Sequence, residues 1–223
     1  MARTVKEKPD ALFCLLAEES AVRTYEILKK MSERGEADFT QARFVQMIEI
    51  ISPEDQKGMC SAFLYEHFFE PLGIRDDQIC LFNTDAEDID KECANMDRYL
   101  EKAGDIDFML LGIGPDGQLG FNEPGELFDQ GIRVKNLSES MKQEVEKCIS
   151  AEVCPNQGIT MGMQQIFCAE KVVLMAGTKQ KADIMAKTYD TLPQIAIPAT
   201  AMFLLKNGTV LMDREAALQI NGI

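Results

Sequence analysis

The most constraining feature of the chain is the run from Leu111 to Gly125, where an apolar segment passes directly into a glycine-rich turn. Residues 108–113 are apolar and predict a buried strand. Three glycines let the backbone bend after it: Gly114, Gly117 and Gly120. Asp116 and Glu123 then place two carboxylates just beyond the strand end. Because α/β folds carry their binding and reacting groups at that position, we expect a functional site here.

Short apolar segments alternate with amphipathic helical segments along the chain. The strand candidates are Ala11–Leu16, Arg43–Ile51, Gln78–Phe82, Asp107–Ile113 and Lys171–Met175. Helices are predicted from about Ser20 to Glu33 and up to Ala103, because each segment carries one apolar stripe. This alternation predicts an α/β fold with a mostly parallel sheet and helices on both faces. No linker or repeat interrupts residues 1–223, so we expect a single domain.

The composition argues against several classes of function. A formal net charge of −14 disfavours nucleic acid binding, which depends on clustered lysine and arginine. No apolar run approaches the roughly 20 residues of a membrane span. We expect no metal, because His67 is the only histidine and its predicted helix suggests a packing role. We also expect no other cofactor, since Gly112–Gly114 lacks the third glycine of a dinucleotide site.

Cysteine usage points to a reducing compartment. No Cys-x-x-Cys pair occurs, and most of the cysteines lie in apolar segments, so we expect buried free thiols. The positions are Cys14, Cys60, Cys80, Cys93, Cys148, Cys154 and Cys168. The first residues do not form a signal peptide, and the sequence therefore predicts a cytoplasmic protein.

Several motifs in order resemble one enzyme family over nearly the whole chain. They are Lys8–Ala11, Pro71–Gln78, the Gly-Phe-Asn-Glu-Pro-Gly-Glu run at 120–126, Gly158–Gly162 and Ala196–Ala199. The chain resembles the glucosamine-6-phosphate deaminase/isomerase family, and residues 120–126 resemble its galactosamine-6-phosphate isomerase branch. The sister 6-phosphogluconolactonases share the opening of the glycine-rich turn but continue differently. The resemblance implies a Rossmann-like three-layer sandwich.

The resemblance also implies a reaction and a set of residues. Family members open an amino-sugar phosphate ring, move a proton between C1 and C2 and expel ammonia, which gives a ketose phosphate. Asp116 and Glu123 match the two carboxylates that polarise a histidine in this family, and Gly114 matches the substrate-binding turn. Gln118 stands where the family has that histidine. A glutamine cannot exchange a proton near neutral pH, so ring opening should be weakened.

Two further departures concern the general base and the phosphate. The family's basic aspartate aligns with Ile48, and its neighbour Glu49 is a substitute only if strand alternation lets it reach the site. The phosphate loop aligns with residues 16–21, where glutamates at positions 18 and 19 replace glycines, leaving Ser20 as a candidate ligand. Lys181, or alternatively Lys179, matches the family's ligand lysine.

These observations leave two hypotheses open. The first is an isomerase/deaminase of hexosamine 6-phosphates, an isomerase and hydrolase by class of enzyme, with an altered site and low activity, in which Asp116 and Glu123 still transfer protons. The second is a non-catalytic pseudoenzyme that acts as a binding or assembly partner, either as a homo-oligomer or beside an active paralogue. Only about ten residues precede the first predicted strand, fewer than in family members, so the leading helix should be short. One face of the sheet should then be incompletely covered.

Overall fold

The computed structural model describes residues 1–52, 58–146 and 155–220. Cys148 and Cys154, predicted as buried thiols, lie outside the described residues. Within them no helix is long and apolar enough to cross a membrane.

Six strands form one sheet that is parallel throughout, in the order β4-β2-β1-β5-β8-β9. These strands are β1 (Leu12–Leu15), β2 (Arg43–Gln46), β4 (Ile79–Cys80), β5 (Phe108–Gly112), β8 (Val172–Ala176) and β9 (Gly208–Met212). A second sheet of three antiparallel strands contains β3 (Ile48–Ile51), β6 (Arg133–Asn136) and β7 (Gln157–Thr160). The parallel main sheet confirms the predicted α/β class.

Helices pack on both faces of the main sheet. The helices of the described residues are α1 (Ala2–Glu7), α2 (Glu19–Glu33), α3 (Met59–Leu64), α4 (Glu70–Leu72), α5 (Ile89–Ala103), α6 (Glu139–Glu146), α7 (Met163–Cys168) and α8 (Ala182–Asp190). Of these, α6 packs instead against β3 of the small sheet, in a third cluster of buried side chains. A π-helical segment, Tyr65–Phe69, joins α3 to α4. His67 lies in this segment with its ring 4.4 Å from that of Phe63, far along the chain from the glycine-rich turn.

The single strand predicted at Arg43–Ile51 is wrong, because the chain changes sheet at Met47. Strand β2 pairs with β1 in the main sheet, whereas β3 pairs with β7 in the small one. The carbonyl of Met47 accepts a hydrogen bond from Met161 N at 2.8 Å, which ties the junction to the end of β7. The run is apolar on both sides of this junction, so hydrophobicity alone gave no sign of the break.

The two faces of the main sheet have different cores. One face packs aromatic rings from β1, β2 and the π-helical segment, including Phe13, Phe44 and Phe68. The other packs aliphatic and methionine side chains from β5, β8, α7 and α8. The prediction of buried thiols is wrong for Cys168, which is exposed because it ends α7 at the surface.

Part of the aromatic face is left open beside the edge strand β9. A cavity of about 340 Å³ lies there, between α2 and the strands β5, β8 and β9. We call it the open groove; it is lined by Met1, Ala2, Thr24, Leu28, Phe108, Leu110, Lys171, Val173, Met175, Thr209 and Leu211.

Candidate active site

The glycine-rich turn begins where β5 ends. Gly114 N donates to Gln118 O at 3.0 Å, and Gly117 N donates to Gly114 O at 3.1 Å, so the turn closes on itself. Gly117 has φ +88°, and a Cβ there would contact Ile197, so both conformation and space require glycine. Ala199 N donates to Gly117 O at 2.7 Å, which fixes the turn against the 3₁₀ helix Pro198–Leu204 that precedes β9.

Gln118 donates hydrogen bonds to the Asp116 carboxylate from two groups, its backbone N–H and its side-chain amide. Its backbone N–H donates to Asp116 Oδ1 at 3.1 Å. With its side-chain amide oriented to satisfy its neighbours, the amide nitrogen donates to Asp116 Oδ1 at 2.6 Å and to Oδ2 at 3.1 Å. The side chain is buried against Gly114 and the sulfur of Met141. The amide is therefore a fixed donor to this carboxylate.

The two carboxylates of the turn lie in different electrostatic surroundings. Burial raises the pKa of Asp116, and the charge of Glu123 raises it further. Backbone hydrogen bonds within the turn lower this pKa and partly offset the increase. Glu123 forms an ion pair with Lys135 at 3.3 Å. Lys135 also forms an ion pair with Glu126, and so does Arg133. The two cations are therefore neutralised by Glu123 and Glu126 within one cluster.

Ile48 and Glu49 face opposite sides of β3. Ile48 lines the cavity beside the glycine-rich turn, whereas Glu49 is fully buried on the other side and does not line it. The carboxylate of Glu49 accepts hydrogen bonds from Cys60 N at 2.9 Å and Ser61 N at 2.8 Å, at the start of α3. Ser61 Oγ donates to it as well, at 2.6 Å. The structure therefore gives Glu49 a set of internal partners and does not bring it to the cavity.

The loop after β1 is fixed by a buried tyrosine. Tyr25 Oη donates to Leu16 O at 2.7 Å and accepts from Leu16 N at 3.1 Å. The loop then places the Glu18 carboxylate against Gly112, where a Cβ would collide with it. The Ser20 hydroxyl is buried without a hydrogen-bond partner among the described residues, but Ser20 does not line the cavity.

Lys181 reaches the strand end from the other side. Its Nζ donates to Ile113 O at 2.5 Å, and its charge acts on Asp116. The alternative lysine, Lys179, is exposed. A strained turn positions this segment: Thr178 has φ +72°, and its N–H donates to Asp213 Oδ2 at 2.9 Å. Sequence reasoning missed Asp213 and Tyr25, because neither lies in a recognisable motif.

These elements enclose a cavity of about 240 Å³ at the carboxyl ends of β1 and β5. Of the predicted site residues, the cavity is lined by Gln118, Gly114 and Lys181, and Asp116 adjoins it through Gln118. Apolar side chains form most of the remaining wall: Leu15, Leu16, Ala17, Met47, Ile48, Ile50, Met59, Leu111, Ile113, Pro115, Phe121, Met141 and Val145. No cluster of histidine, cysteine, aspartate and glutamate able to hold a metal ion occurs in the described parts of the chain.

Comparison with known proteins gives the same family from sequence and from structure. The family described as glucosamine-6-phosphate isomerases/6-phosphogluconolactonase matches residues 6–212. The chain belongs to this family. A glucosamine-6-phosphate deaminase of Thermoanaerobacter sp. (strain X514) is 34% identical over 218 residues, which cover 96% of this chain and 86% of that protein. The putative deaminase AgaI of Escherichia coli (strain K12) is 30% identical over 210 residues, which cover 94% of this chain and 83% of that protein.

Solved structures of the family have the same architecture. A monomeric glucosamine-6-phosphate deaminase superposes with a TM-score of 0.91 at 30% identity, covering 98% of this chain and 91% of that one. A 6-phosphogluconolactonase from Thermotoga maritima has a TM-score of 0.71 at 18% identity, covering 94% and 88%, and supports the fold alone.

Three positions at which the sequence predicts a departure from the family pattern lie around this one cavity. The amide of Gln118 is fixed on Asp116. Ile48 is an apolar part of the cavity wall. Glu18 lines the cavity, and its carboxylate packs on the end of β5. The predicted departures therefore concern a single cavity.

Proposed function

We propose that this chain is a deaminase/isomerase of hexosamine 6-phosphates whose turnover is strongly reduced. The substrate class is galactosamine 6-phosphate or glucosamine 6-phosphate, converted to a ketose 6-phosphate and ammonia. The proposal depends on one observation above all, the locked amide of Gln118 on Asp116 at 2.6 Å. The assignment of a reducing cytoplasm remains part of this proposal, and the free thiols of Cys14, Cys80, Cys93 and Cys168 support it.

The reduced rate follows from the loss of groups that exchange protons. An imidazole titrates near pH ~6.5 and carries a proton in either direction, whereas an amide stays neutral throughout that range. Ile48 has no group to replace a general base, whose loss typically costs ~10²–10⁴ in rate. Asp116 is the remaining candidate for proton transfer, because it is a carboxyl group beside the cavity and burial raises its pKa above that of an ordinary aspartate. Catalytic roles for Asp116, Glu123, Gln118 and Glu49 and substrate contacts for Lys181, Gly114 and Ser20 stay predictions.

Ammonia release measured with galactosamine 6-phosphate and glucosamine 6-phosphate tests the proposal directly. The Thermoanaerobacter deaminase is a suitable active reference, given its 34% identity. We expect turnover at least ~10³-fold below that enzyme, since more than one proton-transfer group is replaced. Turnover within about a hundredfold of the reference would contradict the proposal.

Restoring the proton carriers should not be enough. The double variant Gln118→His, Ile48→Asp returns the family's side-chain types, but the Glu18 carboxylate still packs against Gly112, in the loop that we align with the family's phosphate loop. We expect only slight recovery of ammonia release. Full recovery in the double variant would show that the loop at residues 16–20 binds the phosphate as it stands.

The second candidate function is that of a non-catalytic assembly partner, and the open groove is the observation that favours it. Leu211 is 52% exposed in the groove, and β9 is the last strand of its sheet, with no strand on its outer side among the described residues. An apolar face continuous with an open strand edge is self-complementary, so we propose a second copy of this chain as the occupant.

Light scattering after size-exclusion chromatography tests this second candidate. We expect a dimer that Leu211→Glu converts to a monomer. Leu218→Glu is the matched control, because Leu218 is similarly exposed, at 64%, but does not line the groove. A wild-type monomer would reject self-association, and mixing with an active family member would then test a paralogue as the partner.

A further inference from the structure

We propose that Asp213 is a positioning residue of the active site: it holds the strained turn at Thr178 and, through that turn, keeps the ammonium of Lys181 at the cavity. Asp213 does not line the cavity, so it acts through the lysine and not on the substrate. This role rests on the proposed function, in which Lys181 contacts the substrate.

The turn after β8 is strained at Thr178. This residue has φ +72° and ψ +153°, and it is the only non-glycine residue with a positive φ among those that the structure describes. Such a backbone conformation is occupied almost only by glycine and is disfavoured for a β-branched side chain. It persists only where the surrounding structure holds it, so Thr178 needs a partner that fixes it.

The carboxylate of Asp213 is that partner. Strands β8 and β9 are parallel and end side by side, at Ala176 and Met212. Asp213 N donates to Ala176 O at 3.2 Å, which brings the carboxylate beside the first residues after β8. Its Oδ2 then accepts a hydrogen bond from Thr178 N at 2.9 Å. The side chain of Asp213 therefore binds the strained residue directly.

The strained turn in turn places Lys181. Thr178 O accepts from Lys181 N at 3.2 Å, across one turn of 3₁₀ helix at Lys179–Lys181. From there Lys181 Nζ donates to Ile113 O at 2.5 Å, just after the end of β5. An ammonium carries three hydrogens, so this bond leaves Lys181 able to donate to a substrate in the cavity that it lines. A change of backbone at Thr178 would withdraw that donor.

The titration of Asp116 tests this placement on the protein alone. Burial raises the pKa of Asp116 and the charge of Lys181 lowers it, so this pKa reports the position of the ammonium. Carboxyl ¹³C spectra of the full chain, assigned with Asp116→Asn, give the pKa over the range of about pH 3 to 8. Asp213→Asn should raise the pKa of Asp116, because the turn relaxes and the ammonium moves away. Loss of a negative charge by itself would lower this pKa, so the sign separates the two effects.

Asp183→Asn is the matched control. Asp183 is exposed in the first turn of α8, two residues after Lys181. Its replacement removes the same charge but leaves the bond from Thr178 to Asp213 in place, so the pKa of Asp116 should not rise. Lys181→Met gives the full effect of losing the ammonium, and Asp213→Asn should change the pKa in the same direction. An unchanged or lowered pKa in Asp213→Asn would overturn the proposal.

Thr178→Gly separates positioning of Lys181 from a purely structural role of Asp213. Asp213 Oδ1 also accepts from Ala216 N at 2.7 Å, so Asp213→Asn loosens the segment after β9 as well. Glycine adopts a positive φ without strain and keeps the turn without the help of the carboxylate. The double variant Asp213→Asn, Thr178→Gly should therefore return the pKa of Asp116 towards that of the wild type. Failure of this rescue would limit Asp213 to the segment after β9.

Asp213→Glu keeps the proposal testable if Asp213→Asn does not fold. It retains the charge but moves the acceptor oxygens by one methylene group, so Thr178 N loses its partner at 2.9 Å. The pKa of Asp116 should again rise, although the net charge is unchanged. An unchanged pKa in this variant would contradict the proposal.

Steady-state kinetics connect the placement to the reaction. With glucosamine 6-phosphate, Asp213→Asn should raise KM about tenfold, which corresponds to about 1.4 kcal/mol of binding, and should change kcat much less. A raised pKa of Asp116 with an unchanged KM would reject Asp213 as a residue of the reaction. Absence of turnover in the wild type, with the pKa of Asp116 raised in Asp213→Asn, would contradict the proposed function alone.

Discussion

At the scale of single residues, Ile48 and Glu49 show what strand alternation predicts and what it leaves open. Alternation indicates that the two side chains face opposite sides, and the structure places them so. It could not show that the Glu49 carboxylate would accept hydrogen bonds from donors at the start of α3, because that contact joins two separate elements. The fixed amide of Gln118 was equally invisible in the sequence, since it depends on the path of the turn.

The buried carboxylate of Glu49 should contribute substantially to stability. In Glu49→Gln an NH₂ group replaces one oxygen and faces backbone donors, so at least one charge-assisted hydrogen bond is lost. We expect the free energy of unfolding in urea to fall by about 2–3 kcal/mol. Glu66→Gln, at an exposed position in the segment that follows α3, should change it by less than about 0.5 kcal/mol. Equal effects of the two variants would contradict this role.

Asp116 should make the stability of the protein depend on pH. Burial raises its pKa in the folded state, so the protonated form is favoured there. The contribution of Asp116 to the free energy of unfolding is fully present below its pKa in the unfolded chain, about 3.9. It is lost as pH rises through the higher pKa of the folded state. Asp116→Asn should therefore gain stability relative to the wild type between pH 4 and pH 7, as measured by urea unfolding.

Asp213 supplies a control of opposite sign. Hydrogen bonds from Ala216 N and Thr178 N lower the pKa of Asp213 in the folded state. Its contribution to the free energy of unfolding is therefore present above its pKa in the unfolded chain and is lost as pH falls through its pKa in the folded state. Asp213→Asn should lose stability relative to the wild type as pH rises from 3 to 7. Parallel profiles for the two variants would show that the assigned environments are wrong.

At the scale of elements, the sequence predicted the strands of the main sheet better than those of the small sheet. β1, β4, β5 and β8 are apolar and isolated by turns, so each falls within or beside its predicted range. β6 reads Arg-Val-Lys-Asn and is half exposed, which gave no strand signal. β6 and β7 are defined by their pairing with each other, a contact between residues far apart in sequence.

The turn from β7 into α7 should be the least tolerant of an added side chain. A Cβ on Gly162 would collide with the backbone carbonyls of Gln130 and Gly131, which cannot move aside as a side chain would. We expect Gly162→Ala to lower the free energy of unfolding by about 3 kcal/mol.

Gly131→Ala is the matched control on the facing loop. The nearest atom to its Cβ would be Gln164 Oε1 at 3.2 Å, the end of a flexible side chain. Its effect should stay below about 1 kcal/mol in the same urea measurement. A mild effect of Gly162→Ala would mean that the loop and α7 separate readily.

At the scale of the whole molecule, excess negative charge opposes folding. With a net charge of −14, the compact state holds its carboxylates closer together than the unfolded chain does. Raising NaCl from about 0.02 to 0.3 M shortens the screening length and should raise the free energy of unfolding by roughly 1 kcal/mol at pH 7. A parallel measurement in sodium sulfate at equal ionic strength separates charge screening from salting-out. A fall in the free energy of unfolding when NaCl is added would contradict the prediction.

The two hydrogen bonds between Tyr25 and Leu16 limit the backbone paths that are open to the loop after β1. A glycine-rich loop that wraps an anion needs a backbone path of its own, yet here both backbone groups of Leu16 are committed to one phenol in the core. A mutant that inserts glycines at residues 17–19 would have to abandon those bonds and leave a buried hydroxyl unsatisfied. A glycine-rich loop at residues 17–19 would thus require a compensating change at position 25, so glycine substitutions in the loop alone should not create an anion site there.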